Sequence, residues 1–203
     1  MPIRAGFGFG ENVGWASLRQ AVRGQQISCQ DRRLQWYART NVRSAARVGP
    51  GVSSNRKKTK WITRRDAKVD RVACPWLIKR FVDPEAEFIF VAEDELLSMA
   101  ARLIAIPFDA PRLTEVKLNH RGPGCTFDAL IEDYKLTDPV LQRLALIVRG
   151  ADIKGQEHVS VESLGLRAIA LGFALTGISD AERLASEFPI YDALYEYLRR
   201  QAG

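Results

Sequence analysis

Histidine, cysteine and aspartate side chains surround a glycine-rich loop in the stretch 118-LNHRGPGCTFD-128. His120 and Cys125 are of types that bind metal ions, although two or three ligands in one loop do not complete a site. The loop precedes a predicted helix, whose free backbone N–H groups could bind an anion. Asp128 could join a metal site, or it could simply favour the positive end of the helix dipole. The stretch therefore predicts either a metal or anion site or a plain loop with a helix cap.

A second group of polar side chains lies in 66-DAKVDRVACPWLIKRFVDPEAEFIFV-91, whose first half has helical periodicity. On a helical wheel, Arg80 falls near the middle of the apolar face, and Asp70 and Cys74 lie toward one margin. An arginine among apolar neighbours is costly unless it is paired and hydrogen-bonded. Arg80 therefore either pairs with a carboxylate or faces an anion in a pocket. Asp152 follows Arg149-Gly150 at a predicted helix end, Asp192 lies in the last predicted helix, and each could partner Arg80 or a metal ion.

The chain has three cysteines, Cys29, Cys74 and Cys125. An odd and sparse set does not indicate a disulfide framework, and without a CxxC pair a zinc ribbon is not expected. Free cysteines are commonly inert core residues. A thiol close to arginine or lysine would instead have a lowered pKa and react readily with oxidants.

The elements that must position these groups can be predicted from periodicity and from turn residues. They indicate an α/β (α+β) fold in which a small sheet packs with a predominantly helical C-terminal part. Strands are predicted at 61–64 and 86–91, with weaker signals at 106–109 and 115–119. Helices are predicted at 69–82, 93–104, 126–134, from 139 onward, at 161–175, after 179 and at 190–200.

Several residues predict where the C-terminal helices begin and end. Asp138 is expected to cap a helix that ends near Gly150. Ser179 and Glu182 form a capping-box pattern for the next helix, and Pro189 is expected to break it.

The segment 161-VESLGLRAIALGFAL-175 is apolar nearly all round, which is typical of a central buried helix. Gly165, Ala168 and Gly172 place small residues on one side of it and would allow close packing. About 140 residues with this pattern are enough for a single core.

The net charge of +6 is unevenly distributed. Residues 1–60 carry 12 Lys/Arg against Glu11 and Asp31, whereas residues 61–203 carry 18 Lys/Arg against 22 Asp/Glu. We expect residues 1–60 to be a basic, disordered arm, and such an arm can bind DNA. No apolar run has the length of a membrane span or of a signal-peptide core, so we expect a cytoplasmic protein without a membrane partner.

Several motifs together resemble the chromate-resistance domain, the C-terminal half of ChrB-type regulators. The similarity runs from about residue 61 to residue 200 and keeps the family's order. It rests on 61-WITRRDAKVDRVACPWLIKRFVDPEAEFIFV-91, 104-IAIPFDAP-111, the His120…Cys125-Thr-Phe-Asp128 segment, 147-IVRGAD-152 and 191-YDALY-195.

The resemblance implies a bacterial role in resistance to chromate, with residues 61–203 as the domain concerned. Longer relatives control transcription in response to chromate, but residues 1–60 do not look like the full domain that precedes this one in them. Chromate is a sulfate-like dianion that suits arginine forks, and Arg64, Arg71 and Arg80 are the predicted anion ligands. A metal ion is the candidate cofactor, with reduced chromium, zinc or iron as examples. The predicted metal or redox residues are His120, Cys125, Cys74, Asp128 and Asp70.

Two other function classes stay open at the level of the sequence. One is a transcription regulator that binds DNA through residues 1–60, for which a steep salt dependence of duplex binding would be diagnostic. The other is a metal-dependent enzyme of unknown substrate. The sequence contains no P-loop, Rossmann glycine pattern, GxSxG or HExxH motif.

Overall fold

The computed structural model describes residues 58–201, in which three strands form a parallel sheet. Its strands are β1 (Lys60–Arg64), β2 (Glu87–Val91) and β3 (Ile106–Pro107), in the order β2-β1-β3. Ile62 of the central strand pairs with Ile89 on one side and Pro107 on the other. The expectations for the basic arm lie outside the described residues, apart from its last three positions.

Six α-helices accompany the sheet in the described part of the chain. The first continues into a π-helical turn, Ile78–Val82, and 3₁₀ turns occupy Glu93–Glu95 and Glu157–Val159. The helices are α1 (Val69–Leu77), α2 (Leu96–Leu103), α3 (Thr126–Asp133), α4 (Pro139–Asp152), α5 (Ser163–Leu175) and α6 (Asp180–Gln201). The small sheet and the helical C-terminal part confirm the α+β prediction.

Helix α1 links the sheet to the helical part. Parallel strands need a crossover connection, and α1 supplies the one between β1 and β2. Its apolar face packs against α3, α4 and α6. Trp76 is fully buried there and contacts the rings of Phe127, Tyr191 and Tyr195. The core therefore lies around α1, and the polar residues of α1 are held among four packed elements.

The two predicted helix caps are confirmed. Asp138 accepts a hydrogen bond from the Val140 N–H at 2.8 Å, with Pro139 at the first helical position. The Ser179 N–H donates to the Glu182 carboxylate at 2.9 Å, and the Glu182 N–H donates to the Ser179 hydroxyl at 3.3 Å. Local side-chain hydrogen bonds of this kind are readable from sequence because both partners lie within one turn.

The prediction of a central buried helix at 161–175 is wrong. In α5 only Ser163, Leu166 and Ala170 are buried, whereas Leu164 is 59% exposed and Leu175 is 88% exposed. The helix packs mainly on α4 and the 3₁₀ turn before it, so one side is covered. The sequence of a helix that is apolar all round does not show how many of its sides another element covers.

Two predicted helix ends and one predicted strand are also wrong. Gly150 lies inside α4, which ends at Asp152, and Pro189 lies inside α6, which continues to Gln201. A proline removes a single backbone donor, and the buried Tyr191 holds the helix beyond it. Residues 115–119 form no strand, since only Leu118 makes a bridge, with Phe108.

Within residues 58–201, no helix combines the length and apolar character needed to span a bilayer.

Gly150 is needed for close approach of α4 to the chain that follows it. A methyl group at this position would lie 2.9 Å from the main-chain oxygen of Gln156 and would overlap the Ser163 side chain. We expect Gly150→Ala to destabilise the protein by about 1–3 kcal/mol, as overpacking usually does. Gly172→Ala is the matched control, because a Cβ there meets nothing within 4 Å. It should stabilise the exposed helix by about 0.5–1 kcal/mol. Urea unfolding of both variants tests the pair, and equal effects would contradict it.

Candidate functional site

A polar cavity lies at the carboxyl ends of the parallel strands. Arg64 is the last residue of β1, and Asp109 follows β3 by two positions. The chain leaves β1 toward β2 and later returns to the other side of β1, so the β1–β3 edge is a topological switch point, where ligands of α/β sheets usually bind. The cavity measures about 200 Å³ and is lined by Arg64, Lys68, Asp70, Arg71, Asp109, Pro111, His120 and Asp152.

Asp70, the carboxylate on the apolar face of α1, receives hydrogen bonds from the start of α3. The backbone N–H groups of Thr126 and Phe127 donate to its two oxygens at 2.7 and 3.2 Å. Helix N-termini have free N–H groups and favour negative charge, which compensates for the burial of this side chain. The Cys74 thiol lies 3.4 Å from the same carboxylate. The polar groups on this face of α1 are therefore part of a joint between α1 and α3.

Asp109 is a second buried carboxylate and was not identified from the sequence. Its Oδ1 accepts a hydrogen bond from the Thr126 hydroxyl at 3.0 Å, and guanidinium nitrogens of Arg64 and Arg71 lie 3.7 Å from its Oδ2. Burial opposes ionisation of Asp109, but the His120 hydrogen bond and the two arginines outweigh it and lower its pKa. Its φ of 47° is left-handed, a strained conformation that in non-glycine residues clusters at functional sites. The signal for Asp109 in the sequence was its position at the end of a predicted strand, in 104-IAIPFDAP-111.

His120 lies where three carboxylates converge. Its Nε2 is 3.4 Å from Asp70 Oδ2, 3.4 Å from Asp109 Oδ1 and 3.5 Å from Asp152 Oδ2. Hydrogen bonds to Asp109 and Asp70 raise the pKa of His120 to about 10. The imidazole is therefore protonated near neutral pH, and its positive charge holds the carboxylates together.

Asp152 completes the cluster from the last residue of α4. Its Oδ1 lies 3.4 Å from the Asp70 N–H, which ties the end of α4 to the start of α1. Burial and the negative charges of Asp70 and Asp109 raise the pKa of Asp152 to about 7. The sequence left Asp152 and Asp192 as equal candidates for a metal site or for Arg80, and the structure separates the two.

Asp70, His120 and Asp152 have the geometry to hold a metal ion. One ligand atom from each residue lies within 4.8 Å of the others. Three protein ligands of nitrogen and oxygen type leave coordination positions open, as in catalytic or ligand-exchanging sites of zinc and iron. The ligands come from α1, the loop before α3 and the end of α4, so a bound ion would connect three separate elements.

Arg64 and Arg71 line this cavity, but Arg80 does not. The Arg80 guanidinium forms a two-pronged ion pair with Asp192, with nitrogen–oxygen distances of 2.9 and 2.7 Å. Trp76 also donates to Asp192, at 2.7 Å. Of the two alternatives for Arg80, the contacts support the ion pair over the anion pocket.

The contacts of Asp128, Cys74 and Cys125 are those of residues with a structural role. Asp128 accepts a hydrogen bond from the Cys125 N–H at 2.9 Å and from Arg149 at 2.6 and 3.1 Å, so it caps α3 away from the cavity. Cys74 and Cys125 are both fully buried. Burial, followed by the charge of Asp70, raises the pKa of each thiol well above its ordinary range. These contacts support the alternatives of a helix cap and inert core cysteines.

The cluster makes stability depend on pH. The pKa of His120 is raised from 6.5 to about 10, so its contribution is complete below pH 6.5 and is lost as the pH rises through 10. The pKa of Asp152 is raised from 3.8 to about 7, so its ionisation in the folded protein costs stability as the pH rises above 3.8. We therefore expect the free energy of unfolding of the metal-free protein to fall between about pH 5 and pH 9.

Urea unfolding in the presence of a chelator measures this dependence. His120→Gln and Asp152→Asn should flatten the decline, whereas the exposed His158 gives a matched control, His158→Gln, that should leave it unchanged. A stability that rises from pH 5 to pH 9 would contradict the ionisation of this cluster.

Comparison with known proteins identifies the family. The family described as ChrB, C-terminal domain, matches residues 61–198. Protein ChrB of Cupriavidus metallidurans is 30% identical over 138 residues, which cover 68% of this chain and 40% of that protein. The chain thus spans less than half the length of this relative, and no solved structure matches. The chain belongs to the ChrB C-terminal domain family, which confirms the resemblance to chromate-resistance domains found in its motifs.

Proposed function

We propose that this domain is a cytoplasmic chromate-resistance factor that binds a metal ion through Asp70, His120 and Asp152. The observation that carries the proposal is the convergence of one imidazole nitrogen and two carboxylate oxygens within 4.8 Å. A third carboxylate, Asp109, lies 3.4 Å from the same imidazole nitrogen. Burying several carboxylates together is costly without a cation among them, and a metal ion can take this place more effectively than a shared proton.

Binding of an ion gives the domain a means of sensing. Asp70 belongs to α1, His120 to the loop before α3, and Asp152 to the end of α4. An ion that replaces the loose contacts of 3.4–3.5 Å between these groups would draw three elements together. The resulting change in the surface around the cavity could be read by the rest of a longer ChrB-type protein.

The basic side of the cavity favours an oxyanion as the second ligand class. Arg64, Lys68 and Arg71 line the metal cavity and also line a neighbouring one that includes Arg65. Guanidinium groups bind tetrahedral oxyanions through paired N–H donors, and chromate is such an ion. Arg71 Nε is buried and has no hydrogen-bond partner in the described part of the chain, so one donor is unused.

The buried thiols argue for binding over thiol-based reduction of chromate. A thiol reacts as its thiolate and needs access to the oxidant. Cys74 and Cys125 are fully buried and their pKa values are raised. We therefore propose that the domain holds its ligand and does not reduce it with these cysteines.

DNA binding through residues 1–60 is a separate proposal that rests on their charge. With 12 Lys/Arg against two acidic residues, this segment would bind duplex DNA mainly through phosphates. Affinity should then fall steeply between about 50 and 200 mM salt, which a gel-shift or fluorescence titration measures. No binding at low salt would contradict it.

A metal titration tests the main proposal. The purified chain, stripped with a chelator and dialysed, should bind one equivalent of Zn²⁺, Fe²⁺ or Cr³⁺ per chain by calorimetry and elemental analysis. His120→Ala should lose this binding and His158→Ala should keep it, because His158 is exposed and lies outside the cluster. Equal binding by the two variants would overturn the assignment of the site.

A further inference from the structure

We infer that the metal ion and the oxyanion bind as a linked pair, with metal loading raising the positive charge of the cavity and offering the anion a coordination position. The inference rests on the proposed metal site and adds its regulation. It is carried by the composition of the cavity wall, in which Arg64, Lys68 and Arg71 lie beside the three carboxylates and the imidazole of the proposed metal site.

In the metal-free cavity the carboxylates offset the arginine and lysine charges, and the protonated His120 leaves a small positive charge. The cavity wall holds three cations, Arg64, Lys68 and Arg71, and three carboxylates. The carboxylates are those of Asp70, Asp109 and Asp152. An anion that enters this cavity meets carboxylates as well as arginines, so electrostatic attraction to it is weak.

A divalent cation bound by Asp70, His120 and Asp152 raises the positive charge of the cavity. With the imidazole as a neutral ligand, the same wall would carry two net positive charges. A tetrahedral dianion restores neutrality, and one of its oxygens can occupy a coordination position that Asp70, His120 and Asp152 leave open. The cavity volume of about 200 Å³ accommodates an ion of this size beside the metal.

The arginines keep donors for such an anion. The guanidinium nitrogens of Arg64 and Arg71 lie 3.7 Å from Asp109 Oδ2, beyond hydrogen-bonding distance. Arg71 donates one N–H to the Asp66 carbonyl at 3.0 Å, while its buried Nε has no hydrogen-bond partner among residues 58–201. An unsatisfied buried donor is costly, and a bound oxyanion would satisfy it.

The neighbouring cavity, of about 320 Å³, shares Arg64, Lys68 and Arg71 with the first and adds Arg65. Asp66 and Glu93 also line it, so its four cationic side chains outnumber its carboxylates by two and favour an approaching oxyanion. The ligand class is therefore a tetrahedral dianion such as sulfate, molybdate or chromate. Because these ions share their geometry and charge, the cavity would bind all three, and the experiment below compares them.

Linkage makes the effect reciprocal. If the metal raises the affinity for the anion by some factor, the anion must raise the affinity for the metal by the same factor. We expect a factor of about 10 or more, within the range of ordinary coupling energies.

Isothermal calorimetry with Zn²⁺ and sulfate tests the linkage on the full chain. Sulfate should bind at least about 10-fold more tightly to the Zn²⁺-loaded protein, and sulfate should tighten Zn²⁺ binding by a matching factor. Molybdate and chromate titrations into the loaded protein then rank the oxyanions. Arg71→Gln and Lys68→Gln should each weaken sulfate binding and the coupling while Zn²⁺ still binds alone. Arg80→Met should leave both unchanged.

The outcomes separate the two proposals. Zn²⁺ binding of normal strength with sulfate affinity unchanged or weakened by the metal would overturn the linkage alone. Absence of Zn²⁺ binding would overturn the metal site and the linkage with it. Sulfate coupling that survives in both Arg71→Gln and Lys68→Gln would show that the anion binds elsewhere.

Discussion

Replacing Asp152 by asparagine is expected to abolish tight metal binding and, at the same time, to stabilise the metal-free protein at about pH 8. Asparagine keeps the shape of the side chain, and its oxygen can still face the Asp70 N–H, 3.4 Å away in the parent. The substitution removes a negative charge from a site where burial and the charges of Asp70 and Asp109 raise the pKa to about 7. At pH 8 the parent protein must keep this carboxylate ionised at a cost.

The gain in the free energy of unfolding should be on the order of 2 kcal/mol, since each unit of pKa shift corresponds to about 1.4 kcal/mol and part of it is lost to relaxation. Metal affinity should fall by more than about 100-fold, because even changes behind the ligands cost 10–100-fold. A residue whose loss stabilises the fold and removes binding serves function and not structure.

Asp128→Asn is the matched control. Asp128 is also an aspartate at a helix terminus, but it caps α3 and pairs with Arg149 at 2.6 Å. We expect this variant to lose about 1–2 kcal/mol and to bind metal normally. Urea unfolding at pH 8 and calorimetry with Zn²⁺ measure both properties. The proposed division of roles fails if Asp152→Asn is destabilised and retains its metal affinity.

Replacing Arg80 by methionine should instead destabilise the protein strongly and leave ligand binding intact. Methionine keeps most of the apolar bulk but removes the guanidinium partner of Asp192, which retains the Trp76 donor at 2.7 Å. Breaking a buried ion pair from one side costs about 3–5 kcal/mol, and the side chains of Arg80 and Asp192 are 20% and 28% exposed, so we expect about 2–3 kcal/mol.

A double-mutant cycle distinguishes the pair from general packing. Asp192→Leu added to Arg80→Met removes the uncompensated carboxylate and should recover part of the loss. Thermal unfolding with and without excess sulfate gives the second readout. The anion-induced rise in melting temperature should be the same in the parent and in Arg80→Met, and reduced in Arg71→Gln. Loss of the sulfate-induced rise in melting temperature in Arg80→Met would show that Arg80 binds the anion.

The helix wheel placed Arg80 in the apolar face of the helix predicted at 69–82, of which the structure forms the last five residues as a π-helical turn, but it could not identify the partner of Arg80. Asp192 lies 112 positions further along the chain, on α6. Arg71 of α1 lines a cavity to which other elements contribute, and the wheel could not show that cavity. Periodicity gives the direction of a side chain relative to its own helix, and the neighbour in that direction belongs to another element.

The sequence alone determined the features whose causes are local. The strand beginning near Trp61, the helix that follows Lys68, and the caps at Asp138 and Ser179 depend on periodicity and on side chains within one turn. The motif with His120 also singled out a residue of the polar cavity from its residue type and its glycine-rich setting. The family followed from motifs in a fixed order along the chain.

Only the tertiary structure decided which polar residues act together. Asp70 and Asp152 lie 82 positions apart and meet because α1 packs against α3 and α4. His120 could be grouped with Cys125 and Asp128 by proximity in sequence, yet its actual neighbours are Asp70, Asp109 and Asp152. A helix start turns the adjacent Asp128 back onto its own backbone, while long-range packing brings distant carboxylates to the imidazole. Local periodicity contains no information on that packing, because it depends on which apolar faces bury one another across the whole chain.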